Sequence, residues 1–317
     1  MADTFTGPWI KATKPQDWFS VKSIYVENPT SVVVGVTDYE NLNRGGVWST
    51  ADNGANWTPL LVGTGAASYW YTIECTLKTG THIFAGSVFS TLLLSHNSGT
   101  NWGTISPANA GTTFGNLVIK DGTVFVSSLD SNIPYTGIHS STDLGSTWNP
   151  SDTGIYKGAP DEEVIGLFAN ENVMLAGTIT RGIYYSTDNG SNWVISSLNN
   201  VPIYSFAAIG NTLFAGGLSI YKSIDNGVTW VHIFETSSIA TTMAASQTVI
   251  FAGTWEGVLT SMDNGDNWSL SLPALPDTEI VKSVAVNGTT LLAGVNNDGY
   301  GSVANDGLWT RTFSEVE

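Results

Sequence analysis

The side chains best suited to chemistry in this chain are aromatics and carboxylates crowded into a few segments. TDYENLNRGG (37–46), LVGTGAASYWY (61–71), SSLDSNIPYTG (127–137), SDTGIYKGAPDEE (151–163) and NNDGYGSVANDG (296–307) bring Tyr39, Trp70, Tyr135, Tyr156 and Tyr300 beside Asp38, Glu40, Asp130, Asp161, Glu162, Glu163 and Asp298. Trp255 and Glu256 repeat the combination in a short connection. An aromatic face packs on the C–H groups of a sugar ring while carboxylates accept hydrogen bonds from its hydroxyls, so the mixture suits a carbohydrate. Glycoside hydrolysis would further require two carboxyl groups about 5–9 Å apart. Glu162 and Glu163, adjacent on one segment, are poorly placed to face each other across a bond.

Other chemistries find little to work with. His82, His96, His139 and His232 are scattered without His-x-His spacing, and the lone Cys75, in the apolar run YTIECTL, reads as a small buried hydrophobe. No metal and no cofactor is expected. Nucleophile elbow, phosphate-loop and dinucleotide patterns are all missing. The 27 acidic residues against 11 basic ones leave a formal charge of −16, which repels a phosphate backbone or an anionic membrane surface, so nucleic acid is not expected as a partner. No run approaches the roughly 18 apolar residues of a membrane span, so no membrane insertion is expected. The start MADTFTGPWIKATK lacks the apolar core of a signal peptide. The Ser/Thr/Asn/Gly-rich, Lys-poor composition points to an extracellular or periplasmic protein whose signal peptide is absent from this sequence, with the cytoplasm left open.

The elements that position these side chains are set by a repeat. Ser/Thr-x-Asp-x-Gly-x-x-Trp occurs at Ser141 to Trp148, Ser186 to Trp193, Ser223 to Trp230 and Ser261 to Trp268, with a further copy at Thr50 to Trp57 and a sixth at Ser95 to Trp102 in which Asn97 replaces the aspartate. The tryptophans at 57, 102, 148, 193, 230 and 268 are spaced by the length of one four-stranded propeller blade. Each unit also carries an apolar strand ending in small residues: HIFAG, VMLAG, TLFAG, VIFAG and TLLAG, with VVVGV and TVFVS completing seven. The order is an inner strand A, the apolar strand B, a strand C, the repeated turn, and a strand D opening with Trp. In the turn, glycine permits a positive φ, the Ser/Thr and Asp side chains hydrogen-bond turn amides, and Trp buries itself between blades. Asp52, Asp143, Asp188, Asp225 and Asp263 are therefore read as structural.

The sequence thus predicts an all-β, seven-bladed propeller occupying residues 1–317 as a single domain. Its last blade, 279–317, ends on strand C at GLWTRTF and is completed by the N-terminal strand 7–13, GPWIKAT.

These repeats resemble the Asp-box, or BNR, superfamily, which includes sialidases, xyloglucan-active hydrolases, sortilin-type receptors and photosystem II assembly propellers. The resemblance implies the propeller fold and no single function. Sialidases hold a carboxylate with three converging arginines. Here the three arginines diverge, since Arg44 and Arg181 enter strand C from one face of the ring and Arg311 lies at the other. The xyloglucan enzymes resemble two facing propellers with one catalytic aspartate from each, and this chain supplies one ring. The acidic balance departs from the basic face of the assembly propellers, and a single cysteine departs from the disulfide-rich sortilin type. The reading that remains is a binding or interaction propeller recognising a carbohydrate or a protein through the long-loop face. Tyr39, Arg44, Trp70, Tyr135, Arg181 and Trp255 are its contact candidates. The alternative is a carbohydrate-active hydrolase or lyase using loop carboxylates near the channel mouth.

Overall fold

The computed structural model of the chain describes residues 5–12, 20–37, 45–52, 54–62, 72–88, 91–107, 113–129, 137–156, 163–270, 280–296 and 306–315. Within them lie 28 strands, numbered β1–β28 in chain order, which form seven four-stranded antiparallel sheets. The innermost strands are β2 (Ser20–Asn28), β6 (Ile73–Thr79), β10 (Thr113–Lys120), β14 (Val164–Ala169), β18 (Ile203–Ile209), β22 (Thr242–Ala245) and β26 (Ile280–Asn287). Each packs against the next, and β26 returns to β2. Among the described residues no helix is long and apolar enough to cross a membrane.

Strand B of each blade has an apolar central run because it is covered on both faces, by the preceding and the following sheet. HIFAGS is buried from Ile83 to Ser87, and Met174–Thr178 and Ile250–Thr254 are buried throughout. The glycine that follows the apolar run of strand B answers to a close approach. A Cβ on Gly177 would stand 2.4 Å from the Ile203 carbonyl oxygen of the next blade, and one on Gly294 would stand 2.2 Å from that of Val21.

Blade 7 unites the two ends of the chain. Strand β1 (Ile10–Lys11) pairs antiparallel with β28 (Gly307–Thr312), Ile10 opposite Thr310 and Lys11 opposite Trp309. The Ala12 amide donates to Leu308 O at 2.9 Å and the Thr6 amide to Thr312 O at 3.1 Å. Arg311 fastens the junction, donating from Nε to Gly7 O at 2.7 Å with its guanidinium 3.9 Å over the Phe5 ring. Phe5 and Trp9 are buried with Phe251 and Phe313, so the N-terminal segment fills core between blades 6 and 7.

In the other six blades the C–D junction is the repeated turn, and its two polar side chains divide the work. Ser186 Oγ, buried, accepts the buried Gly190 amide at 2.9 Å and donates to Asp188 Oδ1 at 2.8 Å. Asp188 in turn accepts the solvent-exposed Asn192 amide at 2.9 Å and its side-chain amide at 2.8 Å. The same pattern runs from Thr50, Ser141, Ser223 and Ser261 to Asp52, Asp143, Asp225 and Asp263. The buried donor is thus satisfied by the hydroxyl, and the carboxylate orients that hydroxyl and ties down the exposed end of the turn. These bonds hold the carboxylates below their usual range. At Asp188 the Asn192 side chain and amide lead; at Asp225 and Asp263 partial burial pushes upward and the bonds from Thr229 and Asn267 outweigh it. Asn97 reproduces the geometry with a neutral oxygen, accepting from Ser95 Oγ at 3.0 Å and the Asn101 amide at 2.8 Å. Gly190 and Gly227 take φ of +76° and +82°, directly after Asn189 and Asn226 at +54° and +58°, a left-handed pair that Asn-Gly tolerates well. Trp57, Trp193 and Trp230 are buried, and the Trp193 indole donates across to Ser151 O of the preceding blade at 2.8 Å.

Candidate functional site

Because the strands alternate in direction, the repeated turns and A–B hairpins share one face of the ring, and the B–C and D–A connections share the other. The central channel, about 380 Å³, is walled by all seven inner strands. Its wall is shaped by one irregularity repeated around the ring. Where strand A enters from the D–A connection, two of its residues oppose one of strand B, with register shifts at Val21/Ser23, Ile73/Cys75, Phe114/Asn116, Val164/Gly166, Ile203/Ser205 and Val281/Ser283. In blade 6, Thr242 pairs with Gly253 while the Thr241 amide donates to Gly253 O at 3.0 Å, which gives the same two-to-one count. A bulge re-aims the extra residue. Here Lys22, Glu74, Gly115, Ile165, Tyr204, Thr241 and Lys282 all come to line the channel.

The residue after the bulge locks each blade to the next. Ser283 Oγ donates to Val21 O at 2.8 Å, Ser23 Oγ accepts the Thr76 amide at 2.9 Å, Cys75 Sγ donates to Phe114 O at 3.4 Å and Asn116 Nδ2 to Ile165 O at 2.7 Å. Ser205 Oγ reaches Ala240 O at 3.5 Å and Thr242 Oγ1 accepts the Val284 amide at 3.1 Å. At blade 4 the position is Gly166, where a Cβ would stand 2.8 Å from Tyr204 O, so backbone approach takes the place of a side-chain bond. Burial pushes the Cys75 thiol up, which leaves it protonated as a donor in this belt.

Outside the channel on the B–C and D–A face, blades 4 to 6 carry an arc of exposed apolar groups. Arg181, in the B–C connection of blade 4, sits over the Tyr156 ring from the preceding D–A connection, with its guanidinium carbon 3.7 Å from the ring centre. The local geometry is set by Thr178, whose Oγ1 donates to Gly182 O at 3.1 Å and accepts the Arg181 amide at 3.0 Å. Tyr156 is 44% exposed, Leu218 in the blade 5 connection 56%, and Trp255 in the blade 6 connection 48%. Beside Trp255, Glu256 takes the Ser237 hydroxyl at 2.5 Å and Thr254 Oγ1 accepts the Glu256 amide at 3.1 Å, which fixes the turn. Of the contact candidates, Arg181 and Trp255 lie on this face; Tyr39, Arg44, Trp70 and Tyr135 fall outside the described residues, as do Tyr300, Asp38, Glu40, Asp130, Asp161, Glu162 and Asp298.

Lys22, Glu74, Tyr204, Lys282 and Leu218 were not among those candidates. A signal for the first four was present in the sequence, since each directly follows the first buried apolar residue of its inner strand: Val21, Ile73, Ile203 and Val281. Strict strand alternation obscures their common direction, because a bulge shifts the phase by one residue.

No protein-family model matches the chain, and no curated protein sequence does. Solved structures do resemble it. YCF48 from Cyanidioschyzon merolae is 13% identical, with 97% of this chain and 99% of that one covered at a TM-score of 0.69. The fold is a seven-bladed β-propeller. The GH74 xyloglucanase from Xanthomonas campestris, 14% identical, covers 95% of this chain at a TM-score of 0.70, and the extracellular domain of BT4673 from B. thetaiotaomicron, 11% identical, covers 98% at 0.72. The propeller spans 55% and 40% of those two chains. Identities this low establish a common architecture and leave function to the residues.

Proposed function

We propose that this propeller is a binding module, of the Asp-box type and formed by residues 1–317 as one domain, whose B–C and D–A face receives a carbohydrate. The observation that carries the reading is the arc of Tyr156, Leu218 and Trp255, large apolar groups left exposed together on the face where the channel opens among its charged and hydroxyl-bearing residues. Exposed aromatics fixed by their neighbours lose little entropy on contact with a ligand. A protein partner is the competing occupant of the same face: one solved YCF48 structure holds a D1 peptide, and the xyloglucanase neighbour is an enzyme on a polysaccharide. The extracellular character of the BT4673 domain is consistent with placing this chain outside the cytoplasm.

Hydrolysis is the second reading, and Glu74 on the channel wall is the observation in its favour. It is the one carboxylate among the described wall residues, whereas a carboxyl-pair mechanism requires a partner about 5–9 Å away. Binding to a glycan array by the parent, reduced at least about tenfold in Trp255→Ala and Tyr156→Ala and unchanged in Ser186→Ala, is the expected result. Binding indifferent to both aromatic changes, or a ligand seated on the repeated-turn face, would overturn the proposal. Release of reducing ends from a bound glycan, abolished in Glu74→Gln, would favour the hydrolase.

A further inference from the structure

The four histidines of the chain are scattered in sequence, yet two of them meet in space. His82 opens β7 (His82–Ser87), strand B of blade 2, and His96 follows β8 (Leu92–Ser95), strand C of the same blade. The two strands pair with Ile83 opposite Ser95, so the same register sets His82 opposite His96, and just beyond them the Ser98 amide donates to Thr81 O at 2.8 Å. Residues that oppose each other in an antiparallel pair have Cβ atoms about 5 Å apart. The two imidazole ring centres are 5.1 Å apart with their planes at 86°. Two imidazoles bound through nitrogen to one tetrahedral ion, at about 2.0 Å each, have ring centres about 5 Å apart. The pair therefore has the separation of two ligands on one metal.

The backbone beneath the pair is fixed. Phe84 and Leu94, two residues inward on each strand and so on the same face of the sheet, oppose each other and are buried. Ser95 Oγ, also buried, accepts the Gly99 amide at 2.8 Å and donates to Asn97 Oδ1 at 3.0 Å, which holds the turn that carries His96. On the outer side His96 is exposed and His82 half-buried, so an ion reaches them from solvent. The five other copies of the turn carry Ala51, Thr142, Thr187, Ile224 and Met262 in place of His96, so the pair is a feature of blade 2 and not of the repeat. The remaining histidines are placed differently: His232 Nε2 lies 3.2 Å from Glu235 Oε2, and His139 is buried.

We infer that His82 and His96 form a binding site for a divalent ion of the Zn²⁺, Ni²⁺ or Cu²⁺ class. Imidazole nitrogen suits these ions, whereas Mg²⁺ and Ca²⁺ take oxygen ligands. Among the described residues no third His, Cys, Asp or Glu joins the pair, so the ion keeps positions for water or for a donor from another molecule. The site lies on the repeated-turn face and does not rest on the sugar reading of the opposite face.

The test is calorimetric titration of the whole chain, stripped of metal, with Zn²⁺ in the presence of excess Mg²⁺ to occupy surface carboxylates. The parent is expected to take up one Zn²⁺ per chain. His82→Gln and His96→Gln should each weaken that uptake by about tenfold or more, whereas His232→Gln should bind as the parent does. Both variants should melt like the metal-free parent, with Zn²⁺ raising the melting temperature of the parent alone. In NMR, Zn²⁺ should shift the imidazole resonances of two of the four histidines. Uptake that survives in both variants, uptake that vanishes in excess Mg²⁺, or failure to bind Zn²⁺, Ni²⁺ and Cu²⁺ alike overturns the proposal. Half an ion per chain, abolished by either variant and accompanied by a doubled mass in light scattering, upholds the pair as ligands and identifies a second copy as the outside donor.

Discussion

Two positions recur in every complete turn of this repeat, and they behave oppositely. At the C–D turn the chain uses Ser or Thr, then Asp or Asn, then Gly and Trp six times over, and each copy makes the same bonds. At the start of strand A the backbone offset recurs as a register shift in six blades and as the Thr241 bond to Gly253 in blade 6, yet the residue is Lys, Glu, Gly, Ile, Tyr, Thr and Lys. A position whose residue types repeat with its geometry serves the scaffold. A position whose geometry repeats while the side chain varies presents different groups to one point, as a binding site requires.

The comparison can be broken at several places, in descending order of expected effect on stability. Blade 7 has no repeated turn, because the chain ends meet there, so its outer strand depends on Phe5 and Trp9. Trp9→Ala should lower the unfolding free energy by about 3–5 kcal/mol in urea denaturation, and a smaller loss than that in Ser186→Ala would mean the junction is not held by its core. Ser186→Ala strands the buried Gly190 amide and should cost roughly 1–3 kcal/mol with ligand binding intact; if Asp188→Ala costs more than Ser186→Ala, the hydroxyl is not the buried element of the turn.

Acid should distinguish the turns from one another. The carboxylates of Asp52, Asp143 and Asp188 are depressed in the folded protein, chiefly by hydrogen bonds from Asn56, Thr147 and Asn192 respectively. A depressed folded value means the stabilisation is complete above the unfolded value, near pH 4, and is lost as pH falls through the folded value. Melting temperature should therefore fall below about pH 4, and less steeply in Asp188→Asn, which mimics the neutral turn at Asn97; equal acid slopes in parent and variant would deny the carboxylate this role. The smallest effect on stability belongs to the B–C and D–A face. Trp255→Ala, at an exposed turn position, should change unfolding free energy by no more than about 0.5 kcal/mol, and a larger change would make Trp255 part of the scaffold.

The number of blades, their four-strand order, the turn chemistry and the joining of the chain ends were legible in the sequence because each depends on local residue pattern. Ser-x-Asp-x-Gly-x-x-Trp specifies its own bonds within eight residues, and HIFAG or TLLAG declares a strand covered on both faces. Trp255 was legible as a contact candidate and Tyr156 only as one aromatic of a long segment, and the stacking of Arg181 on Tyr156, which joins two segments about 25 residues apart, was not legible. What only the tertiary structure decided is the channel wall. Lys22, Glu74 and Lys282 lie on strands from three blades, and nothing in their own neighbourhoods states that a bulge turns all three toward one axis or that Ser23, Cys75 and Ser283 hold those strands in register. The reason is physical: a β-strand has two faces, one extra residue exchanges them, and the partner that fixes the extra residue belongs to another strand.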